Sequence, residues 1–226
     1  MLRNVSTLFI LGALAAVVPA FATDGTILIN QASVMAAGGF PFSIFQSGSY
    51  KLSSNLQAPA GKDGIDIIAD GVTLDLNGFT IQGAITCQGK VCTGPPIDAS
   101  SGIAFGGDQV IIRNGHISGF VNGINGFAVT VAMIEDVHVR QTRSFGMNLR
   151  GGIVRRNEMS ANGGIGLTCI ACAVIENYVA FNFGGGVDLI GGTFSGNVMF
   201  SNSGTSTRLS VDVVSSHNNS CEGSGC

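Results

Sequence analysis

Five side chains give this chain most of its capacity to bind or act on a ligand: Asp66, Asn125, Asn148, Arg150 and Asp188. Four of them directly follow a glycine–aliphatic pair, namely Gly64-Ile65, Gly123-Ile124, Gly146-Met147 and Gly186-Val187. Arg150 comes two residues after Asn148. Successive side chains of a strand point to opposite sides, so this placement sends all five outward if the aliphatic residues point inward. Carboxylates, amides and a guanidinium on one face make a hydrogen-bonding strip. Within it, Asp188 and Arg150 are the pair suited to acid chemistry assisted by a neighbouring cation. The same residues are also what an ordinary solvated outer face would carry.

Three other groups could do chemistry. Asp63, Asp66, Asp70 and Asp75 form the densest run of carboxylates, hard oxygen ligands of the kind that calcium takes. A water-exposed face would present the same pattern, and no other metal or cofactor is expected. His138 and Arg140 flank Val139 and share a face, an arrangement compatible with proton transfer or with a plain polar strand. The six cysteines fall into local pairs, Cys87/Cys92, Cys169/Cys172 and Cys221/Cys226. Cys169-Ile170-Ala171-Cys172 has the spacing of a redox motif or of half a zinc site. It sits in a strand-like repeat rather than before a helix, and His116, His138 and His217 are scattered, so three structural disulfides are expected.

The elements that position these residues follow from a twenty-residue echo. Asn157, Asn177 and Asn197 are evenly spaced, as are Asn162, Asn182 and Asn202. Extending the first column backward gives Asp136, Asn114 and Asn77. A repeat of this length, built from short β-branched runs with no helical period, winds into a solenoid. Val72, Leu74 and Leu76 alternate with Thr73 and Asp75, which marks a half-buried strand, and Asn77-Gly78 supplies a turn. Stacking the coils predicts an inward ladder of Ile65, Ile103, Ile124, Met147, Ile165 and Val187. It puts Asp66, Ala104, Asn125, Asn148, Gly166 and Asp188 outside. It also predicts a charged column of Glu135, Arg156 and Glu176.

The expected architecture is all-β: a single-stranded right-handed parallel β-helix of about seven coils over residues 63–202. Residues 84–100 interrupt it as an inserted loop holding Cys87, Cys92, Pro95 and Pro96. Residues 23–62 read as an N-terminal cap and 203–226 as a C-terminal cap or tail. Residues 1–22 read as a signal peptide: Arg3, an apolar run from Leu8 to Val18, then Ala20-Phe21-Ala22 as a small-x-small cleavage site. The chain is expected to be secreted, periplasmic or on the cell surface, with no membrane span once the leader is removed. With 11 Lys and Arg in 226 residues, the densest group being Arg150, Arg155 and Arg156, the composition argues against a nucleic-acid partner.

The run Gly71-Val72-Thr73-Leu74-Asp75-Leu76-Asn77-Gly78-Phe79-Thr80-Ile81 resembles the opening coil of exported bacterial right-handed parallel β-helix repeat proteins, related in fold to pectate lyases. Ser47-Gly48-Ser49-Tyr50-Lys51-Leu52 is similar to their lead-in, and Arg113-Asn114-Gly115-His116-Ile117-Ser118-Gly119-Phe120 to their second coil. The resemblance covers roughly residues 44–202 and rests on structural repeats. It implies a polysaccharide or cell-envelope polymer lying along one outer face, where Asp66, Asn125, Asn148, Arg150 and Asp188 would meet sugar hydroxyls. It also implies the alternatives of a polysaccharide lyase or glycosidase and of a structural or adhesive surface module. The polygalacturonase signatures are not found: there is no Asp-Asp pair, no Gly-His-Gly and no Arg-x-Lys.

Overall fold

The computed structural model describes residues 25–94, 99–126, 131–204, 207–216 and 218–222. The expected signal peptide, Cys226, Pro95 and Pro96 lie outside them. Among the described residues, every strand except those of one hairpin joins a continuous stack of parallel pairings. The chain is a parallel β-solenoid of about nine turns.

Each turn contributes one strand segment to each of three faces, here called A, B and C in the order the chain visits them. Residues 167–170 lie on face A, residues 172–175 on face B and Tyr178–Ala180 on face C. Alternation decides which side chains go inside. Ile65, Ile103, Ile124, Met147, Leu167 and Val187 stack inward on face A, each 2 % exposed or less. Leu74, Ile112, Ile134, Val154, Val174 and Phe194 do so on face B. Ile81, Ile117, Val139, Met159, Val179 and Met199 do so on face C. Burial of these three aliphatic ladders is the main driving force for winding the chain.

The stack is longer than the expected seven coils. Ile27–Ile29 pairs with Gly48–Leu52, and Phe42–Ile44 with Ile65–Ile67, so residues read as a cap already form turns. Thr207–Leu209, Val213–Ser215 and Ser220–Cys221 add a turn at the other end. The N-terminal turns are longer than twenty residues, and the last turn lengthens from 20 residues on face A to 22 at the corner before face C, which hid them from the echo. The one helix among the described residues, Gln31–Ala36, is capped by Asn30 and tucks Val34 into the core.

Two columns also shift. Leu167, not Ile165, stacks between Met147 and Val187, so the outward residue of that turn is Thr168 rather than Gly166. Gly166 holds the place of Gly146 and Gly186, where a Cβ would run into the carbonyl oxygen of the next turn. Arg155, not Arg156, is in register with Glu135. The true column alternates as Lys51, Asp75, Arg113, Glu135 and Arg155. Arg156 and Glu176 belong to the corner between faces B and C, with Asn77, Asn114 and Asp136. All five are left-handed, with φ between 52° and 59°.

Asn157, Asn177 and Asn197 come one residue after that corner and are buried, so Asn77, Asn114 and Asp136 do not continue their column. Asn177, in the middle of the ladder, links its turn to its neighbours by four bonds. Asn177 Oδ1 accepts from the Asn157 backbone N–H (3.0 Å) and from Asn157 Nδ2 (3.1 Å). Asn177 Nδ2 donates to the Val154 carbonyl (2.9 Å) and to Asn197 Oδ1 (3.0 Å). A second ladder, Thr142, Asn162, Asn182 and Asn202, does the same at the corner between faces C and A. Each of the two evenly spaced Asn columns is thus a ladder at its own corner.

The disulfide expectations are met where they can be seen. Cys87 and Cys92 are bonded across the hairpin of Thr86–Gln88 and Val91–Thr93. Cys169 and Cys172, fully buried, are bonded across the corner between faces A and B. Cys221 is disulfide-bonded, but Cys226 falls outside the described residues.

Removing one ladder amide tests the scaffold. Asn177→Ala strands the Asn157 N–H and the Val154 carbonyl inside the stack, at about 1–3 kcal/mol for each unsatisfied buried group. We expect roughly 3 kcal/mol of destabilisation in urea unfolding. Asn177→Asp should be no better, because a carboxylate cannot donate to Val154. An unchanged midpoint in both variants would refute the ladder's role.

Candidate functional site

Face A carries the residues singled out by their spacing. Its outward column reads Ser43, Asp66, Ala104, Asn125, Asn148, Thr168, Asp188 and Arg208, one residue per turn. Neighbouring strands lie about 4.8 Å apart, so polar groups are presented at that interval. Asn148 Nδ2 donates to Asn125 Oδ1 (3.2 Å), which locks the two amides into one unit. The Thr168 Oγ1, between Asn148 and Asp188, is buried and makes no hydrogen bond. Burial pushes the Asp66 carboxyl above its ordinary value. At the far end, Asp188, Arg208, Ile165, Gly184, Gly185 and Val187 line a cleft of about 130 Å³.

Asp188 is not teamed with Arg150. It accepts from Arg208 Nε at 3.0 Å, with a second contact from Nη2. Arg150 is in register with Ile170 and Ile190, which puts it two turns away from Asp188 and two residues further along the strand. Nor do Asp66 and Asp188 face one bond. Five turns separate them in the column, about 24 Å at strand spacing, against the roughly 5–9.5 Å that glycosidic cleavage needs.

The acidic group does not converge either. Asp63 Oδ1 accepts from the Ser101 N–H and Asp70 Oδ1 from the Asp108 N–H. Asp75 holds the Asn77 N–H at 2.8 Å and pairs with Arg113 at 3.5 Å, while Asp66 faces out on face A. Asp63, Asp70 and Asp75 serve the links between turns. Among the described residues, no three His, Cys, Asp or Glu side chains meet in a way that could hold a metal.

No family model, curated protein or solved structure matches this chain. What links it to other proteins is therefore its architecture, a parallel β-solenoid. No helix among the described residues is long and apolar enough to cross a membrane.

Face C holds a constellation that sequence reasoning missed. His116, His138, Glu158, Tyr178 and Val198 form one outward column there. The two imidazoles meet edge to face with centroids 4.9 Å apart, and His138 Nδ1 lies 3.2 Å from Glu158 Oε2. Ser160 Oγ donates to Glu158 Oε1 at 2.6 Å. The order is serine–carboxylate–imidazole, so no base activates the hydroxyl as it would in a nucleophilic triad. The signal was present in the corner column: counting two residues on from Asn114, Asp136 and Arg156 gives His116, His138 and Glu158.

Burial, together with His138 and Arg140, holds the His116 imidazole below its ordinary value, with Glu158 working against them. The unfolded chain therefore takes up this proton first as pH drops below about 6.5. Stability contributed by neutral His116 is complete above that pH and is lost as pH falls through the folded value. His116→Gln should show a smaller fall in Tm than the wild type between pH 7.5 and 5. Identical slopes in thermal melts would contradict this.

Proposed function

We propose that the protein is an exported β-solenoid of the pectate-lyase-like kind that binds a polysaccharide or another cell-envelope polymer along face A. The observation that carries this reading is the outward column from Ser43 to Arg208, with the unsatisfied Thr168 hydroxyl at its heart. A saccharide chain offers hydroxyls at regular intervals, and the column offers amides, hydroxyls and carboxylates at regular intervals. The leader-like segment 1–22 supports export. Binding without turnover is the reading favoured here, since the acid–cation pair expected from spacing, Asp188 with Arg150, is split between turns.

The test is co-sedimentation of the full chain with insoluble cell-wall polymers. The Asn125→Ala/Asn148→Ala double variant removes the central amide unit. It should weaken retention by roughly tenfold, since each hydrogen bond lost is worth about 0.5–1.5 kcal/mol. Retention equal to that of the wild type would overturn the assignment to face A.

A further inference from the structure

We propose that face C is a second binding tract and that it takes an anionic glycan chain. The inference rests on the reading of the protein as a polymer-binding solenoid but uses a different surface.

The first part of the tract is cationic. Arg140 lies two residues along the strand from His138, between Ser118 and Ser160 of the adjoining turns. Its side chain is exposed and forms no ion pair among the described residues. The nearest carboxylate on this face, Glu158, is already engaged by His138 and Ser160. Face B and its corner with face C behave differently: there Arg113, Arg155 and Arg156 are all matched by Asp75, Glu135 and Asp136. Arg140 is thus a cation with its hydrogen-bonding fork open to solvent, the group best shaped to grip a carboxylate, sulfate or phosphate ester.

The second part is aromatic. Tyr178, Phe181 and Phe200 are 40 %, 47 % and 44 % exposed, in a chain that buries most of its large apolar residues. Phe181 and Phe200 pack edge to face, with centroids 5.6 Å apart, so the pair is held rigidly on the surface. Such a patch marks an interaction site. Sugar rings have apolar C–H faces that lie flat on aromatic rings, and polar edges that need hydrogen-bonding groups. From the Arg140 turn to the Phe200 turn is three steps, about 14 Å, room for a few sugar residues.

The disulfide hairpin borders this tract. Cys87 Sγ lies 3.5 Å from the Gln141 carbonyl oxygen, so the hairpin lies against the corner between faces C and A. Its tip residue Gly89 lies against the Phe183 ring. A neutral glycan would satisfy the rings but leave Arg140 unused; an anionic one uses both halves.

The experiment titrates dextran sulfate and uncharged dextran, which share a backbone, into the full chain by calorimetry at low salt. Arg140→Gln and Phe200→Ser, both at exposed positions, probe face C, and Asn148→Ala probes face A. We expect the wild type to bind dextran sulfate in preference to dextran. Arg140→Gln should lose at least about tenfold in affinity for dextran sulfate, the effect of one charge-assisted contact, and Phe200→Ser should lose affinity through the missing ring, while Asn148→Ala keeps the preference for the sulfated polymer. No preference for the sulfated polymer overturns the proposal, as does a preference that survives both face-C variants. Loss in Asn148→Ala alone also overturns it, yet leaves the face-A reading intact. Loss in the face-C variants alone supports the tract even if wall polymers ignore face A.

Discussion

Every turn of this molecule must carry its backbone around corners that are sealed from water by the turns above and below. A strand solves its hydrogen bonding with its neighbours, but a corner residue does not, and a buried N–H or carbonyl left unpaired costs as much as a lost hydrogen bond. Asn157, Asn177 and Asn197, with Asn162, Asn182 and Asn202, provide the missing partners. Asn177, for example, accepts from the Asn157 backbone of the preceding turn, donates to the Val154 carbonyl of that same turn and donates to Asn197 of the next, so the ladder ties three turns at once. The rest follows from this constraint. Equivalent corners must lie at strand spacing, equivalent residues must therefore stack, and the outer faces become columns.

The repetition made the solenoid legible, but the columns were legible only to within a residue or two. Asn tolerates left-handed backbone and also fills a buried ladder, and the sequence uses it for both jobs at adjacent positions. Asn114 bends the corner while Asn177 satisfies it. The echo merged these roles. The same ambiguity put Ile165 where Leu167 belongs, because Gly164-Ile165 and Gly166-Leu167 look alike in one dimension. The face-A residues survived that slip because alternation has a period of two, and shifting by two keeps a side chain on the same side. Asp66, Asn125, Asn148 and Asp188 do share one column. The face-C group was legible only through the corner column: His116 and His138 are 22 apart and Glu158 a further 20, the same steps that separate Asn114, Asp136 and Arg156.

The three faces differ in how far their charges answer one another. On face B the alternation from Lys51 to Arg155 stacks each charge against its opposite. Such half-exposed pairs are worth no more than about 1 kcal/mol each, but they leave little for a ligand to read. On face A the sole stacked ion pair among the described residues is Asp188–Arg208 at one end, and the middle is uncharged amide and hydroxyl. On face C the carboxylate is consumed and a guanidinium is left over. Identical columns belong to the scaffold, and information for a partner lies where a column stops repeating.

This arrangement also bears on what binding would cost. A loop that recognises a polymer must be ordered on contact, and each rotamer-rich side chain immobilised costs about 0.5–1.5 kcal/mol. Here the backbone under the outward residues between the two end strands is paired with both neighbouring turns, and several outward side chains are already fixed: Asn148 on Asn125, Phe181 on Phe200, His138 on Glu158. Weak contacts at fixed intervals can then add along an extended chain, because the second contact is made at high effective concentration once the first has formed. A solenoid face therefore needs no deep pocket. Its shallow, regularly spaced columns suit a long ligand and are poorly suited to a small one.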